Sequence, residues 1–133
     1  MAEEQLSRRN TAWIKGRLTA KPGQVIVTNA RVLFVKKGFA PPIGGHLDET
    51  GAGVGRKWRA RKRTPMVELP LSAITGVSRS VLRAQRDRLT IATADREYLF
   101  SDGWTALSPL LREQLTAQGR EIVDDGPDAW RVH

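Results

Sequence analysis

The sequence QVIVTNARVLFVKK, residues 24–37, decides the fold class. Two apolar runs rich in β-branched residues flank the polar pair Thr28-Asn29. This is the pattern of two strands joined by a tight turn, in which Asn29 is able to accept a positive φ. A similar segment, MVELPLSAITGV at residues 66–77, follows after a long insertion. Together the two segments predict a β-rich domain.

Five more strands are predicted by the same alternation, which gives seven in all. They lie at about 13–19, 66–71, 76–84, 89–93 and 96–100. In the first of these, Ile14, Gly16 and Leu18 are predicted to face inward. Arg86-Asp87 is predicted to be the turn that follows the strand at 76–84.

The period becomes helical after residue 101. Trp104, Leu107, Leu111 and Leu115 recur at the spacing of one apolar helix face. Asp102 is the predicted N-cap and Gly119 the predicted stop. Pro109 indicates either a kink or a fresh helix start with Ser108 as its cap.

The length of 133 residues fits one domain. We predict a flexible lead-in at 1–11, a domain at 12–119 with a long loop at 38–65, and a C-terminal tail at 120–133. The chain has no cysteine, no apolar run long enough for a membrane span and no secretion signal. A cytoplasmic location is therefore expected.

The net charge of +8, from 22 Lys and Arg against 14 Asp and Glu, favours an anionic partner. Such a partner is nucleic acid, acidic lipid or an acidic protein surface. The alternative is a solubilising charge that reflects an arginine-rich composition.

The loop at 38–65 is rich in glycine and proline, and its second half reads RKWRARKR at residues 56–63. Six positive charges around Trp58 suit an anionic bilayer or an acidic protein. They also suit nucleic acid, with Trp58 stacking on a base, and a solvated loop without a ligand is the third alternative. The candidate binding residues are Lys36, Lys37, Arg56, Lys57, Trp58, Arg59, Arg61, Lys62 and Arg63.

A secondary basic face is predicted at Arg79, Arg83 and Arg88, beside Arg86, with Asp87 partly offsetting the charge. A solvated sheet face is the competing interpretation.

Catalytic and metal chemistry find no support in the sequence. The segment GAGVGRK at residues 51–57 lacks the strand, the helix and the Lys-Ser/Thr end of a phosphate loop. His46, Asp48 and Glu49 lie in a glycine-rich loop that offers no frame for a metal. No pair of carboxylates is positioned for acid–base work. We therefore expect no enzyme, no metal and no cofactor.

The chain resembles the GRAM and bacterial PH-like branches of the pleckstrin-homology superfold. The resemblance rests on GQVIVTNARVLF at residues 23–34, on VELPLSAITGV at 67–77, and on the order of the later strands and Trp104. It implies a small seven-stranded antiparallel barrel or sandwich capped by a C-terminal α-helix, acting as a non-catalytic binding module. The basic-x-Arg pattern of many family members occurs here as Arg59-Ala60-Arg61, in the later loop and not on the first hairpin.

The predicted function is attachment to an anionic surface through the basic loop. That surface is acidic membrane lipid, with the protein peripheral at the inner face of the membrane, or an acidic protein partner. Nucleic-acid binding through the same loop is the alternative, and a protein–protein scaffold without an anionic ligand is another.

Overall fold

The computed structural model describes residues 3–16, 19–36 and 65–133. These residues form nine strands, one α-helix and one short 3-10 helix. The strands are β1 (Gln5–Ile14), β2 (Ala20–Thr28), β3 (Arg31–Val35), β4 (Val67–Pro70), β5 (Ile74–Leu82), β6 (Gln85–Thr93), β7 (Glu97–Phe100), β8 (Ile122–Asp124) and β9 (Ala129–Val132). The 3-10 helix is Leu71–Ala73, and α1 is Trp104–Ala117.

All nine strands belong to one antiparallel sheet, in the order β4-β3-β2-β1-β7-β6-β5-β9-β8. The mainly-β prediction is confirmed, but the predicted count of seven strands is wrong. The two additional strands, β8 and β9, lie within residues 120–133, which were predicted to be a tail. Residues 5–11, predicted to be a flexible lead-in, lie in β1.

The sheet is strongly curved around its core. Phe34 on β3 and Phe100 on β7 stand three strands apart in the sheet, which is about 14 Å in a flat sheet. Their ring centroids are nevertheless only 5.6 Å apart. Trp13 on β1 packs edge-on against Phe34 at 6.1 Å, so the concave face encloses one aromatic cluster.

The first strand presents the opposite face from the one predicted. Trp13 is buried, Ile14 is half-buried and Gly16 is exposed. Leu18, also predicted to face inward, lies outside the described residues. Because side chains alternate along a strand, burying Trp13 turns its neighbour Ile14 to the other face.

The turn between β2 and β3 is held by side-chain hydrogen bonds. The buried Thr28 hydroxyl accepts from the N–H groups of Ala30 at 3.1 Å and Arg31 at 3.0 Å. Asn29 Oδ1 accepts from the backbone N–H of Glu4 at 2.9 Å. Asn29 does not use the positive φ that it is able to accept, since among the described non-glycine residues Arg83 alone has a positive φ.

Helix α1 closes the core with Leu107, Leu111 and Leu115, which are fully buried as predicted. The helix continues through Pro109 as one element, so the alternative of a new start at Ser108 is wrong. Ser108 instead accepts a 2.8 Å hydrogen bond from the indole of Trp130 on β9. Gly119, at φ 82°, follows the helix as predicted.

Candidate functional site

The predicted basic loop lies almost entirely outside the described residues. This holds for Lys37, Arg56, Lys57, Trp58, Arg59, Arg61, Lys62 and Arg63. Lys36 is described, and it is exposed directly after the end of β3. By sequence, residues 37–64 contain seven Lys and Arg against two acidic residues, so they carry +5 of the net charge of +8. The binding role of the loop remains a prediction.

The secondary basic face belongs to the β5–β6 hairpin. β5 ends at Leu82 and β6 begins at Gln85, so Arg83 and Ala84 form the turn. Arg83 adopts φ 53°, the left-handed conformation that such tight turns require. The predicted turn at Arg86-Asp87 is therefore wrong, because both residues lie within β6.

Two large apolar side chains are exposed where this hairpin turns. Val81 is 55 % exposed and Leu82 is 50 % exposed, and they are the exposed large hydrophobic residues of the described chain. The strand pairing is irregular between Ser80 and Leu82. Adjacent residues of a strand point to opposite faces, so Val81 and Leu82 cannot both enter one core. Adjacent apolar residues alone do not predict this exposure, because Val25 and Ile26 on β2 are also adjacent and both are buried.

Arg79 differs from the other arginines of the hairpin. It is paired opposite the buried Leu89, so it shares the inner face of the sheet. Its Nε lies 3.4 Å from Asp128 Oδ1, and its backbone N–H donates to the Asp128 carbonyl at 2.7 Å. Arg79 thus links β5 to the loop before β9, and its role is structural.

Arg83 and Arg86 are exposed and Arg88 is half-buried. None of the three has an ion-pair partner in the part of the chain that the structure describes. Several other arginines of the described ranges are paired with carboxylates: Arg9, Arg31, Arg79, Arg112 and Arg131. The residues Val81, Leu82, Arg83 and Arg86 are hereafter the basic tip.

The Asp87 carboxylate accepts hydrogen bonds at the start of α1, and it forms no ion pair with the arginines of the basic tip among the described residues. It accepts from the Thr105 backbone N–H at 2.9 Å and from the Thr105 hydroxyl at 2.6 Å. Asp102, the predicted N-cap, makes no capping bond and instead pairs with Arg9 at 2.8 Å. Burial raises the pKa of Asp87, but the hydrogen bonds from Thr105 outweigh it and hold that pKa below its ordinary value.

We expect Asp87→Ala to destabilise the fold by about 1 kcal/mol near neutral pH, since it removes a helix cap. The folded-state pKa of Asp87 lies below its ordinary value of 3.8. Its contribution is therefore fully present above pH 3.8 and is lost as the pH falls through the folded-state pKa. Urea unfolding at pH 7 and at about pH 2 measures the difference. Glu113→Ala, which removes an exposed carboxylate from the middle of α1, is the matched control and should show no comparable loss. An equal cost for both variants would contradict the capping role.

A groove of about 380 Å³ lies beside the hairpin. Arg88 and Ser101 line it, and Arg88 Nε is buried without a hydrogen-bond partner among the described residues. Ser101 Oγ accepts from the Ala12 backbone N–H at 3.1 Å, which fixes the hydroxyl beside β1. The other described residues that line the groove are Ala12, Ile14, Gly16, Thr19, Ala20, Leu82 and Gln85.

Arg79, Arg83 and Arg88 therefore do not share one surface. Arg79 faces the inner side of the sheet, Arg83 lies in the turn, and Arg88 lines the groove. The described residues of the groove come from segments 12–16, 19–20, 82–88 and 101, which only the fold brings together, so no local sequence pattern predicts the groove.

Neither a group of metal ligands nor a membrane-spanning helix is found among the described residues. No group of three or more His, Asp or Glu side chains there is placed to hold a metal ion. No helix in the same ranges has the length and apolar character needed to cross a bilayer.

No protein-family model matches the chain, and no curated protein matches it either. Among solved structures, the chain is similar to the C-terminal domain of an unknown protein from Leishmania infantum. The two share 16 % sequence identity with a TM-score of 0.56, over 85 % of each chain. At that identity the likeness bears on the fold alone, so it supports the mainly-β architecture and assigns no ligand.

Proposed function

We propose that the protein is a non-catalytic PH-like, GRAM-like binding module that attaches to an anionic membrane surface. The basic tip is the contact within the described residues, and the loop at 38–65 is the second contact. The run of strand neighbours from β4 through β1 and β7 to β5, followed by α1, supports the PH-like part of the proposal.

The observation that carries the proposal is the composition of the basic tip. Val81 and Leu82 are half-exposed beside Arg83 and Arg86, which have no acidic partner among the described residues. Aliphatic side chains enter the boundary between headgroups and acyl chains, while neighbouring arginines bind anionic headgroups. A phosphate backbone requires only the arginines, so the apolar pair favours a bilayer over nucleic acid.

The basic tip alone gives weak attachment. Each arginine near an anionic bilayer contributes about 1 kcal/mol, and the exposed halves of Val81 and Leu82 contribute about 1 kcal/mol each when buried. The total of about 4 kcal/mol corresponds to roughly millimolar affinity. Useful attachment therefore needs the loop at 38–65, whose charges act on the same surface at high effective concentration.

Co-sedimentation with neutral and with anionic vesicles, across a salt series, tests the proposal. We expect binding to phosphatidylserine vesicles alone, and weaker binding as salt rises. Val81→Ser with Leu82→Ser should lower the affinity about thirtyfold, since it removes the apolar contact of about 2 kcal/mol but leaves every charge. Absence of binding at low salt would overturn the proposal. Nucleic acid and an acidic protein would then be tested with the same variants.

A further inference from the structure

The groove beside the β5–β6 hairpin has one charged residue among its described lining residues, and that residue is Arg88. The remaining lining residues of the described chain are neutral, and none is a carboxylate. A groove with this lining attracts an anion and repels a cation. Among the described lining residues, Arg88 is the one that carries a charge.

Arg88 holds a buried donor that the fold does not use. Its Nε is shielded from solvent and donates no hydrogen bond within the described ranges. Arg79 Nε is shielded in the same way, but it lies 3.4 Å from Asp128 Oδ1, which compensates its charge. No described carboxylate does this for Arg88. The guanidinium of Arg88 thus has no compensating carboxylate among the described residues, and its groove-lining atoms can bind an external anion.

The chemistry of the groove fits a phosphate monoester. A guanidinium binds two phosphate oxygens at once in a planar fork. The side chains of Ser101, Gln85 and Thr19 supply neutral polar groups, while Ile14 and Leu82 supply an apolar wall. The volume of about 380 Å³ exceeds that of a phosphate group, so the groove also has room for the small alcohol esterified to it.

We propose that this groove binds the phosphate group of a phosphate monoester through Arg88. The phosphate belongs either to a lipid headgroup or to a free small molecule. The inference deepens the proposed function by naming the group that is bound, and it rests on that function only where the phosphate belongs to a lipid.

The soluble arm of the test uses the full chain labelled with ¹⁵N, titrated with glycerol 3-phosphate. Sodium chloride at equal ionic strength is the reference. We expect saturable shifts of the Ser101 and Gln85 backbone amides with the phosphate and not with chloride. Arg88→Gln should raise the dissociation constant for glycerol 3-phosphate by roughly tenfold or more. Arg88→Lys keeps the charge but lacks the planar fork. Its dissociation constant should therefore lie between those of the wild type and Arg88→Gln.

Arg131→Gln is the matched control, because Arg131 is an exposed arginine on β9 and does not line the groove. This variant should bind glycerol 3-phosphate like the wild type. The inference is overturned if the amides show no saturable shift beyond the chloride reference. It is equally overturned if folded Arg88→Gln, with unchanged dispersion of its amide spectrum, binds as tightly as the wild type.

The lipid arm compares phosphatidic acid, a phosphate monoester, with phosphatidylserine in vesicles of matched surface charge. If the phosphate belongs to a lipid, Arg88→Gln lowers binding to phosphatidic acid and leaves binding to phosphatidylserine unchanged. If it belongs to a free molecule, Arg88→Gln leaves both vesicle results unchanged and weakens only the binding of glycerol 3-phosphate. Failure of the membrane proposal would remove vesicle binding while the soluble shifts persist, so the two failures are distinguishable.

Discussion

Replacing Gly23 with alanine is expected to destabilise the fold by about 3 kcal/mol. A Cβ at this position would lie 2.3 Å from the Val35 carbonyl oxygen and 2.8 Å from Cζ of Phe34. The carbonyl oxygen belongs to the backbone of β3, and the Phe34 ring is fully buried against Phe100. Neither neighbour can move without disturbing the β2–β3 pair or the aromatic core.

Gly16→Ala is the matched control, because a Cβ there meets no atom within 4 Å. We expect it to change the free energy of unfolding by less than about 0.5 kcal/mol. Urea denaturation followed by tryptophan fluorescence measures both variants. The slope of the unfolding free energy against urea concentration should not change. A double-mutant cycle with Phe34→Leu should show coupling to Gly23→Ala, since the added methyl group and the ring compete for one space. Equal midpoints for Gly23→Ala and Gly16→Ala would contradict this account of the packing.

The strands and the helix that bury one face were predictable from sequence. Val67 and Leu69 on β4, like Leu89 and Ile91 on β6, are buried and alternate with less buried residues, so the period of two shows in the residues themselves. The helix was predictable for the same reason, because its leucines recur at the helical period.

The first half of β1 was not predictable in this way. Residues 5–12 pair with β2, whereas the contact of β1 with β7 is limited to Trp13 and Ile14. No large apolar side chain in that half of the strand is fully buried. It is held by backbone pairing and by the Arg9–Asp102 ion pair. Polar residues that form a strand through such contacts leave no hydrophobic period to detect.

The candidate sites depend on long-range contacts. Asp87 caps a helix that begins 17 residues further along the chain, and Arg88 meets Ser101 and Ile14 from separate strands. The sequence indicated that arginines cluster in this region, and this was useful. It could not distinguish the arginine that pairs with Asp128 from those that have no acidic partner among the described residues, because that distinction is made by the fold.

Reversing the charge of Arg83 and Arg86 to glutamate should lower binding to anionic vesicles by about a hundredfold or more at low salt. The change removes two attractions of about 1 kcal/mol each and adds two repulsions of similar size. Both side chains are exposed, and neither has an ion-pair partner among the described residues, so the fold should be little affected. Lys21→Glu with Arg131→Glu is the control for net charge, because both residues are exposed and neither belongs to the basic tip.

Salt dependence separates the charge of the basic tip from its apolar pair. The screening length falls from about 10 Å at 0.1 M salt to about 3 Å at 1 M. The loss of vesicle binding by the Arg83/Arg86 variant, relative to the wild type, should therefore shrink as salt rises. The deficit of Val81→Ser with Leu82→Ser should persist, because burial of apolar surface is not screened. Changing Arg59, Arg61 and Arg63 to glutamate should mimic the charge reversal at the tip if the loop contacts the same surface. A charge-reversed tip that binds like the Lys21/Arg131 control would show that total charge, and not the hairpin, drives attachment.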